Sequence, residues 1–236
     1  MTKAINFTDV NPINFEDRGL IKKNISKIID KKNFILGEEV KLFEKNFSKL
    51  SKTKYSIGCA SGTDALTLSL MALNLKKDDE VIVPGMTYVS TGLSVLLNNN
   101  KLVLVDINKD TGLIEINKIT DKITKKTKAI IPVNLYGQRV DLKRLREIVG
   151  KNIFIVEDSA QSHLAFVNGK KNIILNNYAD TSCYSFYPAK NLGAYGDGGL
   201  ITTNNKSIYN KLLALRNLGS AKKNIHSILG INSRLD

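Results

Sequence analysis

Residues 183–199 read "CYSFYPAKNLGAYGDGG": a strand-like run, a single lysine, then a bend ending in four glycines. The chain holds 29 lysines against 6 arginines, and most of the lysines stand in pairs or on polar helix faces. Lys190 differs, with no other charged residue within six positions and Asp197 the next charge along. A lysine so isolated is either a stray surface charge or an amine held where burial lowers its pKa for chemistry. The runs on either side of the bend indicate the fold. "TSCYSF" (181–186) and "GLITT" (199–203) are short and nearly continuously apolar, the pattern of strands covered on both faces.

The same pattern recurs upstream in "EVIVP" (80–84), "KLVLVD" (101–106), "KAIIPV" (128–133) and "NIFIVED" (152–158), with a further strand-like run leading into "CASGTDA". Helical periods lie between them. "EEVKLFEKNFSKL" sets Val40, Phe43, Phe47 and Leu50 on one face. "SGTDALTLSLMALN" is apolar nearly all round and is expected to be buried against a sheet, and "TGLSVLLNN", "DLKRLREIVG" and "KSIYNKLLALRNL" follow. Strands alternating with helices predict an α/β fold: a mostly parallel sheet flanked by helices in three α/β/α layers. A helix with Leu20, Ile21, Ile25 and Ile28 precedes it, so residues 1–32 read as an arm and helix and 33–236 as one large domain.

Composition excludes several function classes. No run of 18 apolar residues spans a membrane, and "MTKAINFTDVNP" has no secretory pattern, so a cytoplasmic location is expected. Cys59 and Cys183 match no metal or redox spacing and read as buried free thiols. With two histidines and no Asp-rich loop, no metal site is expected. The net charge of +13 suggests nucleic acid, but the charge is lysine-rich and dispersed, whereas base and phosphate recognition favours the arginine fork; no nucleic-acid partner is expected.

In an open α/β sheet, ligands bind at the carboxyl ends of the strands. Four such ends hold suggestive residues. Ser61 with Asp64 fits a helix cap, and Gly62 and Thr63 equally offer free N–H groups and a hydroxyl to a phosphate. Asp158 ends "FIVED" and either caps backbone amides or faces a base or a cationic ring. Tyr88 in "PGMTYVST" is either core or a stacking surface for a flat ligand. Lys190 completes the set. A phosphate cup, a stacking ring, a carboxylate and an isolated amine are together what pyridoxal phosphate requires.

Seven stretches, "FILGEEVKLFEKNFS", "ASGTDAL", "DEVIVPGMTYVST", "PVNLYGQRVDL", "VEDSAQSH", "SFYPAKNLGAYGDGG" and "INSRLD", occur in the order and spacing of a known family. In them the chain resembles the pyridoxal-phosphate-dependent nucleotide-sugar aminotransferases of the DegT/DnrJ/EryC1/StrS group, of fold type I. The resemblance implies that Lys190 forms the Schiff base and shuttles the proton, and that Asp158 pairs with the pyridinium nitrogen. It implies further that Gln161 lies by the ring and its phenolic oxygen, that Tyr88 stacks on the ring, and that Gly62, Thr63 and Ser185 hold the phosphate. Asn232 resembles the asparagine that reaches the cofactor phosphate of a neighbouring subunit, implying a homodimer with shared sites. His163 is a substrate-side or a structural histidine, and His226 has no assigned role.

The implied reaction moves an amino group, in this family usually from L-glutamate, to a keto group of a nucleotide-linked sugar, giving an amino sugar for a surface polysaccharide. Relatives that use the cofactor for dehydration replace the lysine, typically by histidine, and position 190 is lysine. The family pattern continues past "NSRLD" into a smaller C-terminal domain, so the resemblance also implies that this chain lacks it. The alternative is then a catalytically silent fragment that binds only the cofactor or a partner through an uncovered apolar face.

Overall fold

A computed structural model describes residues 17–163, 165, 178–222 and 224–235. Helices α1 (Asp17–Lys31) and α2 (Glu38–Ser51) lead into β1 (Tyr55–Cys59), α3 (Gly62–Ala72), β2 (Glu80–Pro84), α4 (Val89–Leu97) and β3 (Lys101–Val105). Then come β4 (Thr127–Ile130), α5 (Leu142–Val149), β5 (Phe154–Asp158), β6 (Thr181–Ser185), β7 (Gly199–Thr203), α6 (Lys206–Leu215) and a hairpin of β8 (Ser220–Lys222) and β9 (Ile225–His226). The seven-stranded sheet runs β1-β7-β6-β5-β4-β2-β3. Only β7 opposes the rest, pairing antiparallel with β1 and with β6.

Alternation along the strands builds the layers. Ile57, Val81, Val83, Val156, Cys183 and Ile201 point to one face, packing with Leu66 and Leu70 of α3, Val95 of α4 and Leu212 of α6. Their neighbours Ile82, Ile130 and Ile155 point to the other face and pack on Leu142, Leu145 and Val149 of α5. Tyr184 and Leu200, on that same second face, meet Phe47 of α2. The sheet is therefore covered on both sides, as expected from the apolar strand runs. The all-round apolarity of α3 has the same cause, since it sits between the sheet and α4 and α6 and buries seven of its side chains. Cys59 and Cys183 are both buried and unpaired, and burial pushes both thiols upward in pKa.

Two expectations are corrected. The run 101–106 forms the edge strand β3 rather than a strand covered on both faces, and Leu104 is 55 % exposed there. Leu50 of α2 faces solvent while Ser51 is buried, because the packed stripe continues from Phe47 by four residues and not by three. The leading helix α1 buries none of its side chains. The arm that precedes it lies outside the described residues.

The most buried charge supports the β5 core. Glu157 is fully enclosed and accepts from Arg139 at 3.0 Å, from Asn134 Nδ2 at 2.7 Å and from the Ser182 hydroxyl. A buried pair is costly to break because the survivor stays charged and desolvated. Arg139→Ala should therefore cost about 3–5 kcal/mol, measured as a lowered urea midpoint at constant slope; a change below about 1 kcal/mol, the range of an exposed ion pair, would contradict it.

Candidate active site

The antiparallel β7 creates a seam at the carboxyl ends of its neighbours. Its first residue, Gly199, pairs with Cys59 on one side and Ser185 on the other. A Cβ on Gly199 would lie 2.2 Å from the Ser61 carbonyl oxygen, so only glycine lets the turn after β1 close over the strand. That turn starts α3. Ser61 caps it, its Oγ accepting from Asp64 N–H at 3.1 Å, and the N–H groups of Gly62 and Thr63 have no partner among the described residues. A Cβ on Gly62 would lie 2.6 Å from Ser185 Cβ, so Ser185 stands directly against the helix start. The cap and the anion site, posed as alternatives by the sequence, are compatible in one turn. Thr63 Oγ1 is also 2.8 Å from the Ser90 hydroxyl, which ties the first turn of α3 to that of α4.

Asp158 ends β5 with its side chain on the α4 face, opposite to Glu157. The two adjacent carboxylates thus have different surroundings. Glu157 has an arginine, whereas among the described residues Asp158 accepts only from neutral donors, the Thr91 hydroxyl at 2.9 Å and Ala160 N–H at 3.1 Å. Burial pushes the Asp158 pKa up, and these two donors and the field of Lys190 oppose the rise. Lys190 is half-buried in the loop between β6 and β7, which closes through Phe186 N–H to Gly198 O and Lys190 N–H to Tyr187 O. Burial lowers its pKa, and Asp158 pulls the other way. Its amine makes no hydrogen bond or ion pair among the described residues.

The remaining candidates are less tightly gathered. Tyr88 immediately precedes α4, and its ring is 71 % exposed rather than in the core. Gln161 accepts at Oε1 from Tyr136 N–H at 2.7 Å, bracing the loop after β4. His163 lies against Tyr184 and Phe186, each ring 5.7 Å away, with both ring nitrogens buried and the Ser185 backbone beside them. Asn232 is exposed and bridges Asn217, and no hydrogen bond joins it to the other candidates. Its neighbour Ser233 accepts from Ala60 N–H at 3.1 Å, which brings that segment to the same end of the sheet. His226 takes a structural place, its Nδ1 2.8 Å from the Leu218 carbonyl. Sequence reasoning missed the parts played by Ser90 and Thr91, although the hydroxyl-rich "TYVST" between a strand end and a helix was the available signal.

The donor set fits pyridoxal phosphate on these grounds. Unpaired amides at a helix start suit its phosphate, a carboxylate with no cation of its own suits a protonated ring nitrogen, and an unpaired amine suits its aldehyde. Among the described residues, no three His, Cys, Asp or Glu side chains converge as a metal site would need.

A model of the DegT/DnrJ/EryC1/StrS aminotransferase family matches residues 16–236. A UDP-N-acetyl-3-dehydro-α-D-glucosamine 3-aminotransferase of Acidithiobacillus ferrooxidans is 42 % identical over 220 residues, 93 % of this chain and 59 % of its own length. The crystal structure of Streptomyces venezuelae DesV in complex with a ketimine intermediate matches with a TM-score of 0.93 at 36 % identity, covering 99 % of this chain and 62 % of that one. Bacillus subtilis NtdA with bound PMP matches at 0.90 and 31 % identity, covering 99 % and 54 %. The chain spans about three fifths of the length of the curated relatives it matches.

Burial, opposed by the Ser185 backbone and reinforced by the nearby Lys190 charge, holds His163 well below its ordinary 6.5, at about 4. The unfolded chain then takes up the proton first, so the contribution of His163 to stability is intact above pH 6.5 and declines as the pH falls toward about 4. An NMR titration of the imidazole should show it neutral until the pH approaches that lower value; titration at the ordinary value would refute the burial argument.

Proposed function

Since the chain belongs to the DegT/DnrJ/EryC1/StrS aminotransferase family, we propose that its residues 33–236 form the pyridoxal-phosphate-binding unit of a nucleotide-sugar aminotransferase. Helix α1 flanks that unit. The amino group comes from an amino acid, L-glutamate by our reading, and goes to a keto group of a nucleotide-linked sugar destined for a surface polysaccharide. The enzyme works in the cytoplasm as a homodimer, with Asn232 exposed and available to a second subunit's site. Support for this reading comes from one observation above the others: among the described residues, the buried Asp158 carboxylate has only neutral donors and lies within the field of an otherwise unpaired lysine.

Each residue then has a task that follows from its surroundings. The Gly62 and Thr63 amides, with the positive end of the α3 dipole, hold the phosphate, and Ser185 borders it. Asp158 stays ionised and pairs with the ring nitrogen. Tyr88 offers an exposed ring face for stacking. Gln161 has its carbonyl committed to Tyr136, which leaves its amide N–H groups to donate to the phenolic oxygen. The bound cofactor supplies an aldehyde for amine exchange and a conjugated ring that takes up the electrons of a broken C–H bond. Lys190 Nζ, with its pKa held down by burial, takes the proton from the donor's α-carbon and returns it on the other side of the exchange. His163 lines the substrate side as a neutral imidazole.

The deciding experiment is borohydride reduction of the purified chain with pyridoxal phosphate, followed by peptide mass mapping. A phosphopyridoxyl group is expected on Lys190 and should be absent from Lys190→Ala. A wild-type chain that takes up no cofactor would overturn the cofactor reading and leave only a fragment that binds a partner, and a reduced adduct on another lysine would overturn the assignment. Asp158→Asn should weaken cofactor binding by about tenfold or more, the scale of one charged hydrogen bond.

A further inference from the structure

Thr87 and Thr91 lie four residues apart across the first turn of α4, and their hydroxyl oxygens are 2.9 Å from each other. Thr91 is fully buried, and its Oγ1 is also 2.9 Å from Asp158 Oδ2. A hydroxyl has a single proton to give, and an ionised carboxylate only accepts. Thr91 must therefore donate to Asp158, and Thr87 must donate to Thr91. Both proton directions are fixed while Asp158 is charged, whereas protonation of Oδ2 would reverse them, Asp158 donating to Thr91 and Thr91 to Thr87. On the other oxygen, Ala160 N–H fixes the carboxylate plane from within its own turn.

We propose that Thr87 and Thr91 are positioning residues, a two-hydroxyl chain that keeps Asp158 ionised and aimed at a cationic ring nitrogen. The inference rests on the cofactor reading above and adds to it the device that holds the acid in its working state. The surroundings call for such a device. Burial and the neighbouring Glu157 push Asp158 toward its neutral form, and Lys190, half-buried in its loop, is the cation opposing that shift. A second cation in contact would fix the charge more strongly, but it would occupy the carboxylate. Neutral hydroxyl donors favour the charge and leave lone pairs free for the ring.

The test compares pyridoxal phosphate with its 1-deaza analogue, in which a C–H replaces the ring nitrogen, by spectroscopic titration of the cofactor-free full chain. Thr91→Val should raise the dissociation constant for pyridoxal phosphate about tenfold, as expected for one hydrogen bond to a charged group, and leave that of the analogue unchanged. Thr91→Ser should restore wild-type affinity. Thr87→Val, at a half-buried position, should give a smaller rise in the same ligand-selective sense, and it decides the matter alone if Thr91→Val does not fold. Equal weakening of both ligands, or no weakening of either, overturns the proposal and reduces the hydroxyls to packing. A wild-type chain that binds neither ligand overturns the cofactor reading and this inference with it. A wild type that loads normally beside unaffected threonine variants overturns this inference alone.

Discussion

The close passage of Gly199 beneath the Ser61 carbonyl is the constraint on which the arrangement of this sheet end depends. Strand β7 runs against its neighbours, so its first residue enters between the last residues of β1 and β6. Those last residues lead directly into the α3 turn and the lysine loop. A side chain at Gly199 would collide with backbone rather than with a flexible group, and the collision could be relieved only by moving the turn. The glycine-rich end of the opening stretch is thus a steric requirement of antiparallel insertion. Because the seam closes, Ser185 comes up against Gly62, and the unpaired amides of α3 share one edge with the loop that holds Lys190.

A second constraint follows from strand alternation. Glu157 and Asp158 are consecutive, so the pleat sends them to opposite faces of the sheet. On the α5 side Glu157 meets Arg139, Asn134 and Ser182, and it is consumed as a structural ion pair. On the α4 side, among the described residues, Asp158 meets hydroxyl and amide donors alone. One dipeptide therefore supplies both the charge that braces the core and a charge without a cation in contact among the described residues, and Arg139 is held by Glu157.

Much of this was legible in the sequence because burial on two faces leaves an unambiguous signal. "EVIVP", "TSCYSF" and "GLITT" carry it, and their strands lie within a residue of where it ends. Direction was not legible, since "GLITT" would read the same in a parallel strand, and the connection around Lys190, residues 186–198, is long enough for either direction. Edge position was equally hidden, because "KLVLV" is as apolar as its covered neighbours while Leu104 remains exposed. The β8–β9 hairpin escaped notice since "AKKNIH" has no alternation to reveal it. At the site, Lys190 and Asp158 stood out through isolation and position, whereas Ser90 and Thr91 are hydroxyls whose importance depends on what α4 packs against.

The isolation of Lys190 also explains how a chain of net charge +13 keeps an uncommitted carboxylate at its centre. With 29 lysines available, any mobile ammonium near the strand ends would be drawn to Asp158 and neutralise it. The residues flanking the seam are instead glycine, serine, threonine, tyrosine and proline, which fill space and donate hydrogen bonds without bringing positive charge. The single cation whose field reaches Asp158 from this loop is Lys190, and burial weakens that cation by favouring its neutral form. A long run without charges around one lysine is therefore an electrostatic condition on a residue 32 positions earlier in the chain, met by what the sequence leaves out.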